Sequence, residues 1–294
     1  MTDNDNKFHD YITFPRTFKN YKWYKPLIII VIAVVLFSIF QIVMTVLFKG
    51  IYGEAVFTQV IGGGYETLNT SDVSVYYSYL SLAIFIPILY IASKIVRDRP
   101  FSSYSSSRGG WNWKIYFKCL LIPLTLYIVF LLISSLMGNE KGGNSQVSLM
   151  AMVISLILIP VQCIAEEHVF RGFLMQTLGS WLKNPLLAII IQAIIFAAVH
   201  SYNYLGVISV GITGIMFGWL SWRTNGLEAA SAIHSINNMV SFFTVALGFA
   251  SISSTLSYMD FITDILLTSI SVIAVYYIGS KRRWFDEETP KIKI

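Results

Sequence analysis

The chain has few charged residues, and this scarcity excludes an ordinary soluble fold. Only 13% of its 294 residues are Asp, Glu, Lys or Arg, while 55% are hydrophobic. Soluble domains have about a quarter of their residues charged. No stretch between the apolar segments is long enough to form a separate soluble core, so we expect one membrane domain.

Cysteine is scarce as well. Cys119 and Cys163 both lie within apolar segments, so the sequence supports neither a disulfide framework nor a Cys-rich zinc site. The His-Glu-x-x-His helix of typical zinc peptidases is absent. The first apolar run has no small-residue cleavage site, and we expect it to stay in place as the first membrane helix rather than to be removed as a signal peptide.

Long apolar runs occupy most of the sequence. A membrane-spanning helix needs about 20 apolar residues, and the candidate spans cover residues 26–48, 76–96, 115–137, 148–165, 185–200, 204–222, 227–249 and 260–280. This pattern predicts an all-α, polytopic membrane helix bundle of about eight transmembrane helices. The less apolar segment 166–182 either extends the fourth span or lies at its cytoplasmic end.

The basic residues predict how these helices are oriented. Lys and Arg are enriched in cytoplasmic loops, and the loops expected on the opposite side hold only Lys49 and Lys141. We therefore expect a cytoplasmic basic and aromatic tail at 1–25, a membrane domain at 26–280 and a cytoplasmic tail at 281–294. Because orientation in the lipid bilayer explains the net charge of +5, we expect no nucleic-acid partner.

Two glycine-containing segments carry structural predictions. The segment Ser102–Gly110 is rich in Ser and Gly, and we expect a flexible cytoplasmic loop there. Gly214 and Gly218 have the small-xxx-small spacing that lets helix backbones approach closely in lipid. Their expected role is helix packing.

The second half of the chain holds a cluster of polar residues that the first half lacks. Ionisable groups within membrane spans are costly unless paired or hydrated, so they are candidates for a functional site. The cluster consists of Glu166, Glu167 and Arg171 at the end of the fourth span, His200 at the end of the fifth, and His234 with Asn238 inside the seventh.

Helical spacing places these side chains on different faces. Residues four apart share a face, so Glu167 lies over Arg171, and His234 lies over Asn238. Glu166 points about 100° away from Glu167. We therefore expect Glu167 and Arg171 to form a structural ion pair, which leaves Glu166 free to face a cavity as a base.

Such an arrangement is suited to peptide hydrolysis. A carboxylate in a poorly solvated pocket can take a proton from water near neutral pH, and a nearby histidine can orient that water. Hydrolysis also needs hydrogen-bond donors where negative charge develops on the carbonyl oxygen. His234 and Asn238 fit that second role.

Three motifs in order resemble those of the CPBP (Abi) family of intramembrane peptidases. The motifs are Glu166-Glu167-x-x-x-Arg171, Phe196-x-x-x-His200 and His234-x-x-x-Asn238. The family includes CAAX prenyl endopeptidases and bacterial proteins tied to bacteriocin processing and self-immunity. The resemblance covers roughly residues 150–250, which it implies as the catalytic core. The first half of the chain matches only as generic membrane helix.

The resemblance implies a role for each motif. Glu166 and His200 would activate the water, and His234 with Asn238 would form the oxyanion hole. The expected ion pair of the first motif would support the site. The implied protein is an intramembrane glutamic endopeptidase that cuts a membrane-associated peptide or protein, and the expected location is a bacterial plasma membrane.

Two other functions stay open at this point. One is a transporter or channel that uses the buried Glu, His and Arg residues, although the first half lacks the corresponding helix breaks of repeat-built transporters. The other is a catalytically idle regulator or immunity protein, although every motif position is filled.

Metal binding also stays open. His200, His234 and a glutamate could ligate zinc with water in the open position. The resemblance to the CAAX endopeptidases favours metal-free glutamate chemistry, so no cofactor is expected. Cys163 lies three residues before Glu166, and we interpret it as a small core residue rather than a nucleophile.

Overall fold

The computed structural model describes residues 8–62, 71–136, 147–249 and 255–287. These parts of the chain are helical and contain no β-strand. The predicted all-α membrane helix bundle is confirmed. Of the two predicted tails, residues 1–7 and 288–294 lie outside the described residues.

Twelve α-helices are present in the described ranges. They are α1 (Lys25–Tyr52), α2 (Glu54–Gly62), α3 (Asp72–Ala83), α4 (Phe85–Val96), α5 (Ser102–Ser105), α6 (Trp113–Leu136), α7 (Leu149–Glu167), α8 (Gln176–Leu182), α9 (Pro185–Ala198), α10 (Tyr204–Arg223), α11 (Glu228–Ala246) and α12 (Tyr258–Lys281). Several begin at a polar cap whose side chain accepts a hydrogen bond from the first helical turn: Ser71, Ser148, Asn184, Asn203 and Ser257.

Six helical stretches of the described chain are long and apolar enough to cross a membrane. They are Lys25–Tyr52, Asp72–Val96, Trp113–Leu136, Leu149–Leu182, Tyr204–Arg223 and Tyr258–Lys281. The two other predicted spans correspond to α9, a shorter apolar helix of 14 residues, and to α11, which has 19 residues. The count of eight spans and the cytoplasmic position of both termini stay predictions.

The outer helices expose apolar side chains in the way that a lipid environment requires. In the most apolar 18-residue stretch of α1, only 11% of the residues are buried. The helix packs mainly against α4. Val31, Val34 and Ile42 of α1 are 62%, 58% and 66% exposed. Apolar surface of this extent is tolerated in a bilayer, whereas soluble proteins seldom expose it.

Helix α7 continues without a break into α8 through a π-helical segment, His168–Met175. Residues 166–182 therefore extend the fourth span, which was one of the two possibilities that the sequence left open. Short π-helical segments occur frequently at functional sites. Here the segment follows directly after Glu166 and Glu167.

The segment Ser102–Gly110 is packed into the protein, so the prediction of a flexible loop is wrong. Tyr104 has no exposed surface, and Arg108 is 3% exposed. Arg108 Nη2 forms a buried ion pair with Glu228 Oε2 at 2.5 Å. Because breaking such a pair would leave a buried charge uncompensated, this contact holds the segment against the start of α11.

The N-terminal segment packs against the same end of the bundle. Tyr11 and Ile12 have no exposed surface. The Tyr11 hydroxyl donates to the Tyr104 carbonyl at 2.5 Å, and Trp222 Nε1 donates to Asp10 Oδ1 at 2.6 Å. Part of the predicted tail therefore belongs to the folded protein.

Glycines bring α9 and α10 close together, as the small-xxx-small spacing predicted. A Cβ added at Gly214 would lie 3.0 Å from the Cβ of Ala193. A Cβ added at Gly218 would lie 2.9 Å from Gln192 Nε2. Gly214 therefore leaves little room for a side chain against Ala193, whereas the nearest atom at Gly218 is the end of the Gln192 side chain. Helices α9 and α10 form one wall of the site.

Candidate active site

Glu166 and Glu167 are the last two residues of α7, and they face different surroundings. The Glu166 side chain lines a cavity between the helices and is 10% exposed. The Glu167 side chain has no exposed surface. Successive residues of an α-helix point about 100° apart, which explains why neighbouring carboxylates have separate environments.

Glu167 and Arg171 form the predicted ion pair. Arg171 Nη1 lies 3.0 Å from Glu167 Oε1, and both side chains are fully buried. The Arg171 guanidinium also lies 4.3 Å from the centre of the Phe196 ring, in a cation–π contact with α9. Its Nη2 donates to the Gly214 carbonyl at 3.4 Å. Arg171 thus connects the end of α7 to both α9 and α10.

His234 projects from α11 into the same site and contacts both glutamates. Its Nδ1 lies 3.0 Å from Glu167 Oε1, and its Nε2 lies 3.4 Å from Glu166 Oε2. The residue is only 7% exposed, so it faces the protein interior and not the lipid. The contact with Glu167 was not anticipated from the sequence.

Asn238 lies one turn beyond His234 on the same face of α11. Its Nδ2 is 3.4 Å from His234 Nε2 and 3.4 Å from Gln162 Oε1. The residue lines the cavity together with His234 and Glu166. The side-chain amide of Asn238 is therefore close enough to act on the same bound group as the imidazole.

His200 lines this cavity from the end of α9, on a different wall. Its Nδ1 is 2.7 Å from the Phe196 carbonyl oxygen. A carbonyl only accepts, so Nδ1 carries the hydrogen, and in the neutral imidazole Nε2 is left as an acceptor. Among the described residues no ion pair joins His200 to either glutamate, so the structure brings this residue to the cavity but not into direct contact with Glu166.

Sequence reasoning missed Gln162. It precedes Glu166 by one helical turn, lines the cavity and is only 2% exposed. Its Oε1 accepts hydrogen bonds from Asn238 Nδ2 and from the Cys163 thiol, both at 3.4 Å. The i, i+4 spacing to Glu166 was the signal that could have identified it, because both side chains must share a face of α7.

The cavity is large enough for a peptide segment. Its volume is about 850 Å³, and it lies between α3, α7, α9, α10, α11 and α12. Binding sites for small ligands span roughly 300–1,000 Å³. None of the described residues that line it is Lys or Arg.

The described residues contain no group of three or more His, Cys, Asp or Glu side chains that could hold a metal ion. His200 and His234, which both line the cavity, are nevertheless of a residue type that commonly ligates zinc.

A family comparison agrees with this location. Residues 148–240 match the family model described as type II CAAX prenyl endopeptidase Rce1-like. The resemblance to the CPBP family that the three motifs predicted is confirmed. The matched region contains all six predicted site residues and Gln162 as well.

One curated relative is also similar to this chain. It is the uncharacterized protein YyaK of Bacillus subtilis (strain 168), which is 27% identical over 179 residues. The alignment covers 57% of this chain and 60% of YyaK, so the chain spans less than two thirds of that relative. No solved structure matches the chain. The comparisons and the apolar helices together support a multi-pass membrane protein similar to a protease family.

Proposed function

We propose that the protein is an intramembrane endopeptidase that hydrolyses a peptide bond of a membrane-associated protein or peptide. The observation that carries this proposal is the approach of Glu166 to His234. The two residues are 68 positions apart in the sequence, on α11 and α7. In the fold, His234 Nε2 lies 3.4 Å from Glu166 Oε2, and both side chains line one cavity. His200 and Asn238 line the same cavity.

In the proposed reaction, Glu166 takes a proton from a water molecule, and that water attacks the carbonyl carbon of the substrate. His200 Nε2 orients the water, because its Nδ1 is already bonded to the Phe196 carbonyl. Glu166 then returns the proton to the leaving amine when the C–N bond breaks. General acid–base catalysis of this kind contributes about 10²–10⁴-fold to the rate.

The negative charge that develops on the substrate oxygen needs hydrogen-bond donors. In the proposal, His234 Nε2 and Asn238 Nδ2 supply them, and their separation of 3.4 Å suits donors that share one oxygen. Glu167 supports this role because it bonds the other ring nitrogen of His234. Glu167 is therefore a positioning residue.

Charge balance also favours a hydrogen on both nitrogens of His234. Glu166 and Glu167 bring two negative charges to a poorly solvated site, and Arg171 brings one positive charge. An imidazolium at His234 would make the sum zero, and a buried site with no net charge avoids the cost of an uncompensated ion.

The substrate is expected to be a membrane-associated peptide or protein. The Rce1-like family suggests CAAX-type processing, while leader or bacteriocin-type processing and self-immunity are the other activities consistent with the motifs. The proposed location is a bacterial plasma membrane; the apolar helices support the membrane, and the similarity to a protein of Bacillus subtilis supports the bacterial origin.

The proposal is tested by comparing the membrane peptides of cells that express the wild-type protein with those of cells that express the Glu166→Gln variant. Wild-type membranes should contain peptides with new termini that are missing when Glu166→Gln is expressed at the same level. Cys163→Ala is the matched control, since the thiol lies on the same helix and is buried; this variant should still cleave.

Each of the other results has a definite meaning. Normal turnover by Glu166→Gln would remove Glu166 as the base, and loss of cleavage in Cys163→Ala would show that the reaction needs the thiol, either directly or through its hydrogen bond to Gln162. Proton or solute flux through proteoliposomes, in the absence of any cleavage, would favour the transporter hypothesis.

A further inference from the structure

Asp264 lies in the apolar first half of α12 and faces the interior of the protein. Its neighbours Ile262 and Leu266 are 47% and 55% exposed, as lipid-facing residues are. Residues two positions apart on a helix point in nearly opposite directions. The Asp264 side chain therefore faces away from the lipid and lines the cavity.

Within the described chain, Asp264 has a hydrogen-bond donor but no cationic partner. The Ser209 hydroxyl of α10 donates to Asp264 Oδ2. None of the ion pairs formed by the described residues includes Asp264. An acidic residue in a membrane helix without a cation is costly, and such residues usually have a functional reason.

Asp260, one turn earlier on α12, has a different explanation. Its Oδ2 accepts hydrogen bonds from the backbone N–H and the hydroxyl of Ser257, at 3.1 and 2.7 Å. These contacts form the capping box that starts the helix. Asp260 is thus accounted for by local structure, whereas the single bond to Ser209 leaves the second carboxylate oxygen of Asp264 for another group.

The cavity is electrostatically suited to a cation. Glu166 lines it but is paired with His234, which lines it as well, and no Lys or Arg does so among the residues that the structure describes. Asp260 and Asp264 are therefore the lining carboxylates for which no ion pair is present in the described chain. A cavity with carboxylates and low-dielectric walls concentrates positive charge. Asp264 lines the cavity from α12, whereas Glu166 and His234 line it from α7 and α11.

We propose that Asp264 is a specificity residue that binds a Lys or Arg side chain of the peptide in this cavity. The inference rests on the proposed function, because it assumes that a peptide occupies the cavity. A charge-assisted hydrogen bond from that side chain would complete the coordination of Asp264 and fix the register of the peptide against Glu166. The substrate class is therefore a membrane-associated peptide with a basic residue near the cleaved bond.

Binding to an inactive protein tests this inference directly. The full-length Glu166→Gln variant in nanodiscs would be titrated with fluorescent, lipid-anchored peptides that carry Lys or norleucine at one scanned position. At one position the Lys peptide should bind about ten- to a hundredfold more tightly than the norleucine peptide, as expected for a hydrogen bond between charged groups. In the double variant Glu166→Gln with Asp264→Asn, the ratio of the two affinities should be close to one, while the amide oxygen can still accept a hydrogen bond from Ser209.

Asp260→Asn is the matched control, because it removes the same charge from the same helix and cavity. The Lys to norleucine ratio should persist in this variant. An unchanged ratio in Asp264→Asn, or an equal loss in both variants, would overturn the assignment of the cation to Asp264.

A cleavage assay with the wild-type protein separates this inference from the proposed function. Cleavage of both peptides with equal kcat/KM would contradict the inference and support the peptidase. Selective binding of the Lys peptide through Asp264 without cleavage would contradict the peptidase and support the cation site.

Discussion

Glu167 Oε1 lies 3.0 Å from His234 Nδ1, although 67 residues separate the two in the chain. The same oxygen accepts a hydrogen bond from Arg171 Nη1, also at 3.0 Å. One fully buried carboxylate therefore fixes a cation on the continuation of its own helix and an imidazole on α11. A change at Glu167 must disturb both neighbours at once.

Glu167→Gln should lower both stability and turnover. The amide keeps an acceptor for His234 but leaves Arg171 as a buried, uncompensated cation, which costs about 3–5 kcal/mol. Thermal unfolding in detergent and cleavage kinetics would measure the two effects, and kcat should fall more than KM rises. The double variant Glu167→Gln with Arg171→Met should recover much of the stability, since both charges are gone. Wild-type stability of the single variant would show that the pair is not needed.

Gln162→Leu should reduce kcat by about tenfold or more if the amide orients Asn238 at the oxyanion site. Asn237, which precedes Asn238 on α11, offers a control. Its side-chain oxygen accepts a hydrogen bond from the Tyr127 hydroxyl at 2.8 Å and not from a residue of the proposed oxyanion site. Asn237→Ala should cost about 1 kcal/mol of stability with kcat close to wild type. If Gln162→Leu changed only the unfolding temperature, Gln162 would be a packing residue.

Removal of metal ions should leave turnover intact. The proposed reaction needs the carboxylate of Glu166, the acceptor of His200 that orients the water, and the hydrogen-bond donors of His234 and Asn238. Cleavage would be measured after dialysis against 1,10-phenanthroline, with the zinc content of the purified protein determined in parallel. Loss of activity that stoichiometric zinc restores would instead assign His200 and His234 as ligands.

Gly214→Ala should destabilise the protein, whereas Gly211→Ala on the same helix should not. The new Cβ at 214 would meet the Cβ of Ala193 at 3.0 Å and its Cα at 3.2 Å. Overpacking of this kind costs about 1–3 kcal/mol. At 211 the nearest atom is 3.6 Å away, an ordinary contact, so the better helix propensity of alanine should dominate. Equal unfolding temperatures for the two variants would contradict the close approach of α9 and α10.

The helices were predictable because hydropathy is a local property. The expected spans 115–137 and 260–280 correspond to Trp113–Leu136 and Tyr258–Lys281. The pair of Glu167 and Arg171 was predictable for the same reason, since its partners are four residues apart on one helix. The loop Ser102–Gly110 was misjudged because its composition says nothing of Glu228, the ion-pair partner that lies 120 residues beyond Arg108.

By itself, the sequence determined that this chain folds as apolar helices in a membrane and that its polar cluster lies between about 150 and 250. Those features depend on composition and on 3.6-residue periodicity, which neighbouring residues fix. The tertiary structure alone decided that His234 bridges both glutamates, that Gln162 joins Asn238 and that Asp264 opens onto the same cavity. Each of these relationships joins separate helices, and their distances depend on how the whole bundle packs.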